Sequence, residues 1–171
     1  MKLSHVDASG RPKMVDVGPK PETARRAVAE GRIRMSSEAF EAVVRNINPK
    51  GDVLTTAELA GTMGAKRTAD LIPLCHPIVL DHVDVTATPD PDLPGIHVVA
   101  SASSVGRTGV EMEALTAVTV ALLTVYDMVK AAGHDMELYD VRLLEKHGGR
   151  SGVWKRTEQK TPAAGRLHLD D

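Results

Sequence analysis

In VYDMVKA, residues 125–131, Asp127 and Lys130 stand three residues apart in a segment of helical spacing, so they share a face and can form an ion pair. A surface salt bridge is the ordinary reading of such a pair. The flanking residues are strongly apolar, however, and charges on a mostly buried helix are costly unless paired or used. A desolvated lysine beside a carboxylate is also how a group with a tuned pKa for proton transfer is made. Glu111 and Glu113, in GVEMEA, fall near the start of the same helix, where the macrodipole favours carboxylates and capping is their ordinary role. The run from Glu111 to Asp127 is roughly 24 Å long at about 1.5 Å per residue, too far for one small substrate to touch both ends. If both clusters are catalytic, another subunit must complete the site, and function implies an oligomer.

DLIPLCHPIV, residues 70–79, sets Cys75, the one cysteine of the chain, beside His76 between Pro73 and Pro77. Neighbours in an extended segment point to opposite sides, which places the thiol and the imidazole poorly for mutual activation. Cys75, His76 and His82 would give zinc three ligands, but their spacing matches no finger or protease pattern and nothing supplies a fourth. A lone cysteine is ordinarily a small buried residue. His76 differs, because the prolines fix the backbone on each side and a rigid loop holds a side chain well toward a ligand.

Lys50, in NPKGDV, would ordinarily be a solvated loop charge, although Pro49 and Gly51 give this loop more definition than most. Further basic residues recur around loops: Lys20, Arg25, Arg26, Lys66, Arg67, Arg107, Lys146 and Arg150. Together with the backbone N–H groups of HGGRSG, residues 147–152, they could bind a polyphosphate, while any one alone reads as a surface charge.

The elements that must position these groups follow from periodicity. MVDV, 14–17, suggests a short strand, and 25–35 an extended stretch in which Gly31 fits a bulge. Ser36 is placed to cap a helix whose Phe40, Val43, Val44 and Ile47 recur at helical spacing and which should stop near Asn48-Pro49. A second helix is expected over 53–69, with Ala57, Ala60, Gly61 and Gly64 forming a face of small residues that lets another backbone approach. Strands over 81–88 and 96–103, joined by PDPDLPG, read as a hairpin. A long helix over 109–132 has Leu115, Val118, Leu122, Val125 and Val129 on its core face, and a last strand covers 138–145. This order predicts an α+β, ferredoxin-like sandwich, an antiparallel sheet with helices packed on one face.

The 171 residues suit one domain, over 14–154, between a flexible N-terminal segment (1–13) and a flexible C-terminal tail (155–171). A single cysteine excludes an internal disulfide and Cys-rich zinc frameworks, and no apolar stretch is expected to span a membrane, which points to a soluble, cytoplasmic protein. A net charge of −2 gives no pull toward nucleic acid, and one Phe, one Trp and two Tyr offer few rings for stacking bases.

Taken together, MVDVGPKPETARRA, KGDVLTTAELAGTMGAKRTADLIPLCHP, GRTGVEMEALTAVTVALLTVYDMVKA and VRLLEKHGGRSG closely resemble the family of molybdenum-cofactor biosynthesis protein C, the cyclic pyranopterin monophosphate synthases. The resemblance covers nearly all of residues 5–152. It implies a ferredoxin-like subunit in a hexamer, a trimer of dimers with sites at the dimer interface. It also implies a lyase that converts 3′,8-cyclo-7,8-dihydro-GTP into cyclic pyranopterin monophosphate and diphosphate, without redox metal or flavin. Carried over residue by residue, it implies Asp127, Lys50 and Lys130 as catalytic, with Leu74-Cys75-His76 and Met112-Glu113 against the substrate. Lys66, Lys146, Arg25 and Lys20 are expected among the phosphate or purine contacts, and Glu111 beside them. EKHGGRSG departs from the family in His147 and Arg150, where a small residue and a lysine are usual, and arginine keeps the charge but not the geometry. The competing expectations are a ferredoxin-like nucleotide-binding or assembly module without catalysis, and a metal-dependent hydrolase through Cys75, His76 and His82.

Overall fold

The computed structural model describes residues 9–157; the expectations for residues 1–8 and 158–171 lie outside the described residues. Five strands form one antiparallel sheet: β1 (Thr23–Arg34), β2 (His82–Asp90), β3 (Gly95–Gly106), β4 (Glu137–His147) and the short β5 (Trp154–Lys155). Their spatial order is β2-β3-β1-β4-β5. The first four strands, interleaved with helices α1 (Ser37–Val44), α2 (Val53–Lys66), α3 (Thr68–Leu71) and α4 (Glu111–Val129), give the ferredoxin-like α+β arrangement expected from the sequence.

Alternation decides which sheet face is covered. Ala27, Ala29 and Ile33 of β1, Ile96, Val98, Ala100 and Ala102 of β3, and Val85 and Ala87 of β2 are buried beneath the helices. On the other face Glu30 is buried by its own partners: Arg142 Nε donates to it at 2.8 Å, and His97 Nε2 lies 2.8 Å away. Gly31 falls at a register shift in the β1–β4 pairing, as the bulge expectation required, and a Cβ there would lie 2.7 Å from Val118 and 2.8 Å from Leu122 of α4. The small-residue face of α2 is likewise used against α4, with Ala57, Gly61 and Gly64 buried.

Helix ends follow capping chemistry. Ser36 accepts from the Ala39 N–H at 3.2 Å and Asp52 from the Thr55 N–H at 3.0 Å. Several expectations need correction. The first helix ends at Val44, so Val44 and Ile47 are 53% and 67% exposed rather than on its core face. The second breaks at Arg67, where Thr68 Oγ1 donates back to Ala65 O at 3.0 Å and starts α3. MVDV joins no strand; its valines instead wall a cavity, which satisfies alternating apolar residues as well as a sheet does. The stretch from Glu111 to Ala132 is long and apolar enough to cross a membrane by length and composition alone, as the core helix of a fold can be, and 56% of its apolar window is buried inside the fold.

Candidate active site

α4 lies across the sheet as a rigid bar and the expected site residues gather at its two ends. At the C-terminal end its last turn presents Asp127, and the 3-10 turn Lys130–Ala132 continues from it. Lys130 Nζ approaches Asp127 Oδ1 at 2.7 Å, while Lys50, from the α1–α2 loop, places Nζ 3.0 Å from Oδ2 and 2.7 Å from the Asp127 carbonyl oxygen. One carboxylate therefore bridges two ammonium groups from separate segments. The hydrogen bond from Lys130 and then that from Lys50 hold the Asp127 carboxyl down to about 2, and the same Asp127 contact pushes Lys130 up. The burial argument is corrected here: the side chains of Lys50, Lys130 and Asp127 are 47%, 50% and 59% exposed, because Asp127 and Lys130 lie on the outward face of a turn whose Val125, Met128 and Val129 are buried.

The N-terminal end opens onto two adjoining cavities. One, of about 310 Å³, is lined by Leu74, Cys75, His76, Met112, Glu113 and Glu111, with Lys20 and the valines of MVDV. Burial, reinforced by the charge of Glu113, pushes the Cys75 thiol up, which keeps it protonated and speaks against a nucleophile. Cys75, His76 and His82 do not meet: His82 opens β2 and is absent from this cavity wall, and among the described residues no group of three His, Cys, Asp or Glu could hold a metal ion.

The second cavity, about 400 Å³, is walled by Lys20, Arg25, Arg107, Lys146 and Arg150 and shares Glu111 with the first. Glu111 Oε1 lies 3.3 Å from Lys146 Nζ between the two spaces. The glycine-rich loop is shaped around Arg25: Gly148 and Gly149 have φ of 95° and 73°, and a Cβ on Gly149 would collide with the guanidinium. Lys66 stands apart, on a recess of about 110 Å³ that reaches the first cavity through Ile78 and Glu113. Arg26 and Arg67 are not brought in; Arg26 pairs with Glu145 at 2.6 Å and Arg67 lines a groove between α2 and α4. Sequence reasoning missed Thr108, which lines both cavities, and Thr23, whose buried hydroxyl on the basic cavity has no hydrogen-bond partner.

Glu113 is only 4% exposed, and burial, with the nearby Glu111 charge, pushes its carboxyl up. The folded chain then holds this proton more tightly than the unfolded chain, whose carboxyl titrates near about 4.3, so stability is lost as pH rises above that value through the folded one. Glu113→Gln is expected to flatten this decline and to stabilise the protein at neutral pH. Urea midpoints at about pH 5 and about pH 7 measure it, and an unchanged difference between the two would remove Glu113 as its source.

Sequence comparison places these geometries among known proteins. A sequence model described as the MoaC family matches residues 14–149. Curated proteins named cyclic pyranopterin monophosphate synthase from Brucella ovis (strain ATCC 25840 / 63/290 / NCTC 10512) and Brucella melitensis biotype 2 (strain ATCC 23457) are each 56% identical over 153 residues, 90% of this chain and 93% of the relative. One of the same name from Brucella canis is 55% identical over the same span.

Proposed function

The chain belongs to the MoaC family, and from that membership we propose that it is a cyclic pyranopterin monophosphate synthase, a lyase of molybdenum-cofactor biosynthesis. Its substrate in this reading is 3′,8-cyclo-7,8-dihydro-GTP and its products are cyclic pyranopterin monophosphate and diphosphate. The observation that carries the reading is the Asp127 carboxylate held between Lys50 and Lys130, three groups able to move protons on and off nitrogen and oxygen as rings open and close. A second task is closure of the cyclic phosphate: a substrate hydroxyl attacks the α-phosphorus, its proton passes to a base, and diphosphate leaves. Lys20, Arg25, Lys146 and Arg150 around the basic cavity supply cations for that leaving charge. Leu74, Cys75, His76, Met112 and Glu113 wall the adjoining space for the purine-derived part, with Glu111 at the junction and Lys66 in the recess behind it.

Roughly 24 Å of α4, at about 1.5 Å per residue, separates the proton-transfer cluster from these cavities within one chain. A second subunit bringing its own Lys50–Asp127–Lys130 cluster to the cavities of the first resolves the distance, and a cytoplasmic hexamer built as a trimer of dimers is the assembly proposed. The test is incubation of the purified protein with 3′,8-cyclo-7,8-dihydro-GTP, following the pterin product by mass spectrometry and diphosphate by a coupled assay. The two products are expected together in equal amounts. Their absence from a folded oligomer that still binds the triphosphate would overturn the reading.

A further inference from the structure

We propose that Asn48 is a positioning residue for the reaction, tying the loop that carries Lys50 to the end of α4 that carries Asp127; this rests on the function proposed above. Its side-chain amide works in both directions. Nδ2 donates to the Met128 carbonyl at 2.9 Å, and Oδ1 accepts from the Lys50 N–H at 2.8 Å. The Asn48 carbonyl accepts in turn from the Gly51 N–H at 3.0 Å, and Gly51 closes this turn at φ 96°, a conformation that suits glycine. Residues 48–51 thus form a closed turn fastened to the helix by one amide.

The residue type follows from what each neighbour lacks. The Met128 carbonyl belongs to the last turn of α4, where carbonyls have no intrahelical donor and need one from outside. The Lys50 N–H needs an acceptor two residues back, the usual role of an asparagine in a turn. Asparagine supplies both on a short stem; aspartate has no donor for Met128, and alanine has neither group.

Among the described residues, the hydrogen bonds from 45–52 that reach α4 are those of Asn48 Nδ2 and Lys50 Nζ. The start of this loop is held to α1 through the Asn46 and Ile47 N–H groups, and its end caps α2 through Asp52. Without Asn48, an exposed lysine would have to give up its own freedom and that of its loop to reach Asp127. Lys50 itself was identifiable from the sequence; what makes it more than a solvated charge is the residue two positions before it.

Asn48→Ala and Asn48→Ser test the proposal. Serine keeps an acceptor for the turn but is too short for the Met128 carbonyl, so it separates the turn from the anchor. In both variants Lys50 is expected to react at least about five-fold faster with an acetylating reagent, read by peptide mass spectrometry, while Lys66 reacts as before. The Asp127 carboxyl, followed by carbon NMR, is expected to titrate at higher pH, and kcat to fall at least about ten-fold with KM changed less than two-fold. Wild-type Lys50 reactivity and Asp127 titration in Asn48→Ala, or wild-type behaviour in Asn48→Ser, would overturn the anchor. Unchanged kcat with a loosened Lys50 would overturn its part in the reaction. A wild-type protein that fails to turn over would count against the proposed function instead, while the Lys50 and Asp127 readouts would still decide the anchor.

Discussion

Asp127→Asn is expected to lower turnover by roughly 10²- to 10⁴-fold, the range that a positioned acid or base contributes, with the fold and the oligomer intact. The asparagine amide keeps the shape of the side chain and loses its charge. Lys50 and Lys130 then face each other across a neutral group, and the ion pairs at 3.0 and 2.7 Å are gone. Mutual repulsion favours the neutral amine, so the pH dependence of the remaining activity is expected to shift toward lower pH on the limb set by the lysines. Combined with Lys50→Ala, the loss is expected to be much less than the product of the two single losses, because the groups act as a unit. Near-multiplicative losses would mean that the carboxylate and the lysine work separately.

The same substitution has a defined signature in stability. The Asp127 carboxyl is depressed in the folded chain to about 2, so its contribution is present above the unfolded value of 3.8 and is lost as pH falls toward 2. Asp127→Asn is therefore expected to change the acid-unfolding profile within that window and to leave its shape between about pH 5 and about pH 8 unaltered, since the carboxyl is ionised and Lys130 protonated in both states there. A profile altered in shape near neutrality would point to a packing role for an exposed side chain.

The second large effect is expected from Gly61→Val, at the crossing of α2 and α4. A Cβ on Gly61 would stand 2.8 Å from the Ala117 carbonyl oxygen, 3.1 Å from Val85 and 3.2 Å from Ala121. The nearest obstacle is backbone, so the strain can be relieved only by moving α4 or α2 as a body. Overpacking of this kind typically costs about 1–3 kcal/mol, which for a chain of this size corresponds to a melting point lower by roughly 2–12 °C. At Gly64 a Cβ would meet only the side chain of Val120, at 2.8 Å, which can shift. Gly64→Ala should therefore be the milder change, partly offset by the roughly 1 kcal/mol of helix propensity that glycine forgoes. Equal melting points for the two variants would mean that the crossing is looser than these distances say.

Much of this arrangement was legible in the sequence, and the exceptions share a cause. The bulge at Gly31, the cap at Ser36, the hairpin and the small face of α2 are local signals, fixed by neighbours within a few residues. Val44 and Ile47 misled because periodicity gives a helix its faces but not its last residue. The Asp127–Lys130 ion pair was foreseen and its exposure was not, since the outward positions of an apolar helix stay in solvent while Val125, Met128 and Val129 beside them are buried. The basic cavity could not be assembled from spacing, because the antiparallel registers Thr23↔Gly106 and Ala27↔Lys146 are what bring Arg25, Arg107 and Lys146 together. Asn48 read only as a helix stop; its bond to Met128 joins residues far apart in the chain, and no local pattern announces it.

α4 also has an arithmetic of its own. Val118, Leu122 and Val125 hold one side of it down over its whole length, so each added or deleted residue would turn everything beyond it by about 100° and carry Asp127 off the side that meets Lys50. Because a turn takes about 3.6 residues, steps of seven residues, about two turns, are the shortest that bring the facing of both ends back to within about 20°. The spacing between the carboxylates of its first turn and that of its last is therefore quantised, open to replacement by a different integer but not to gradual adjustment.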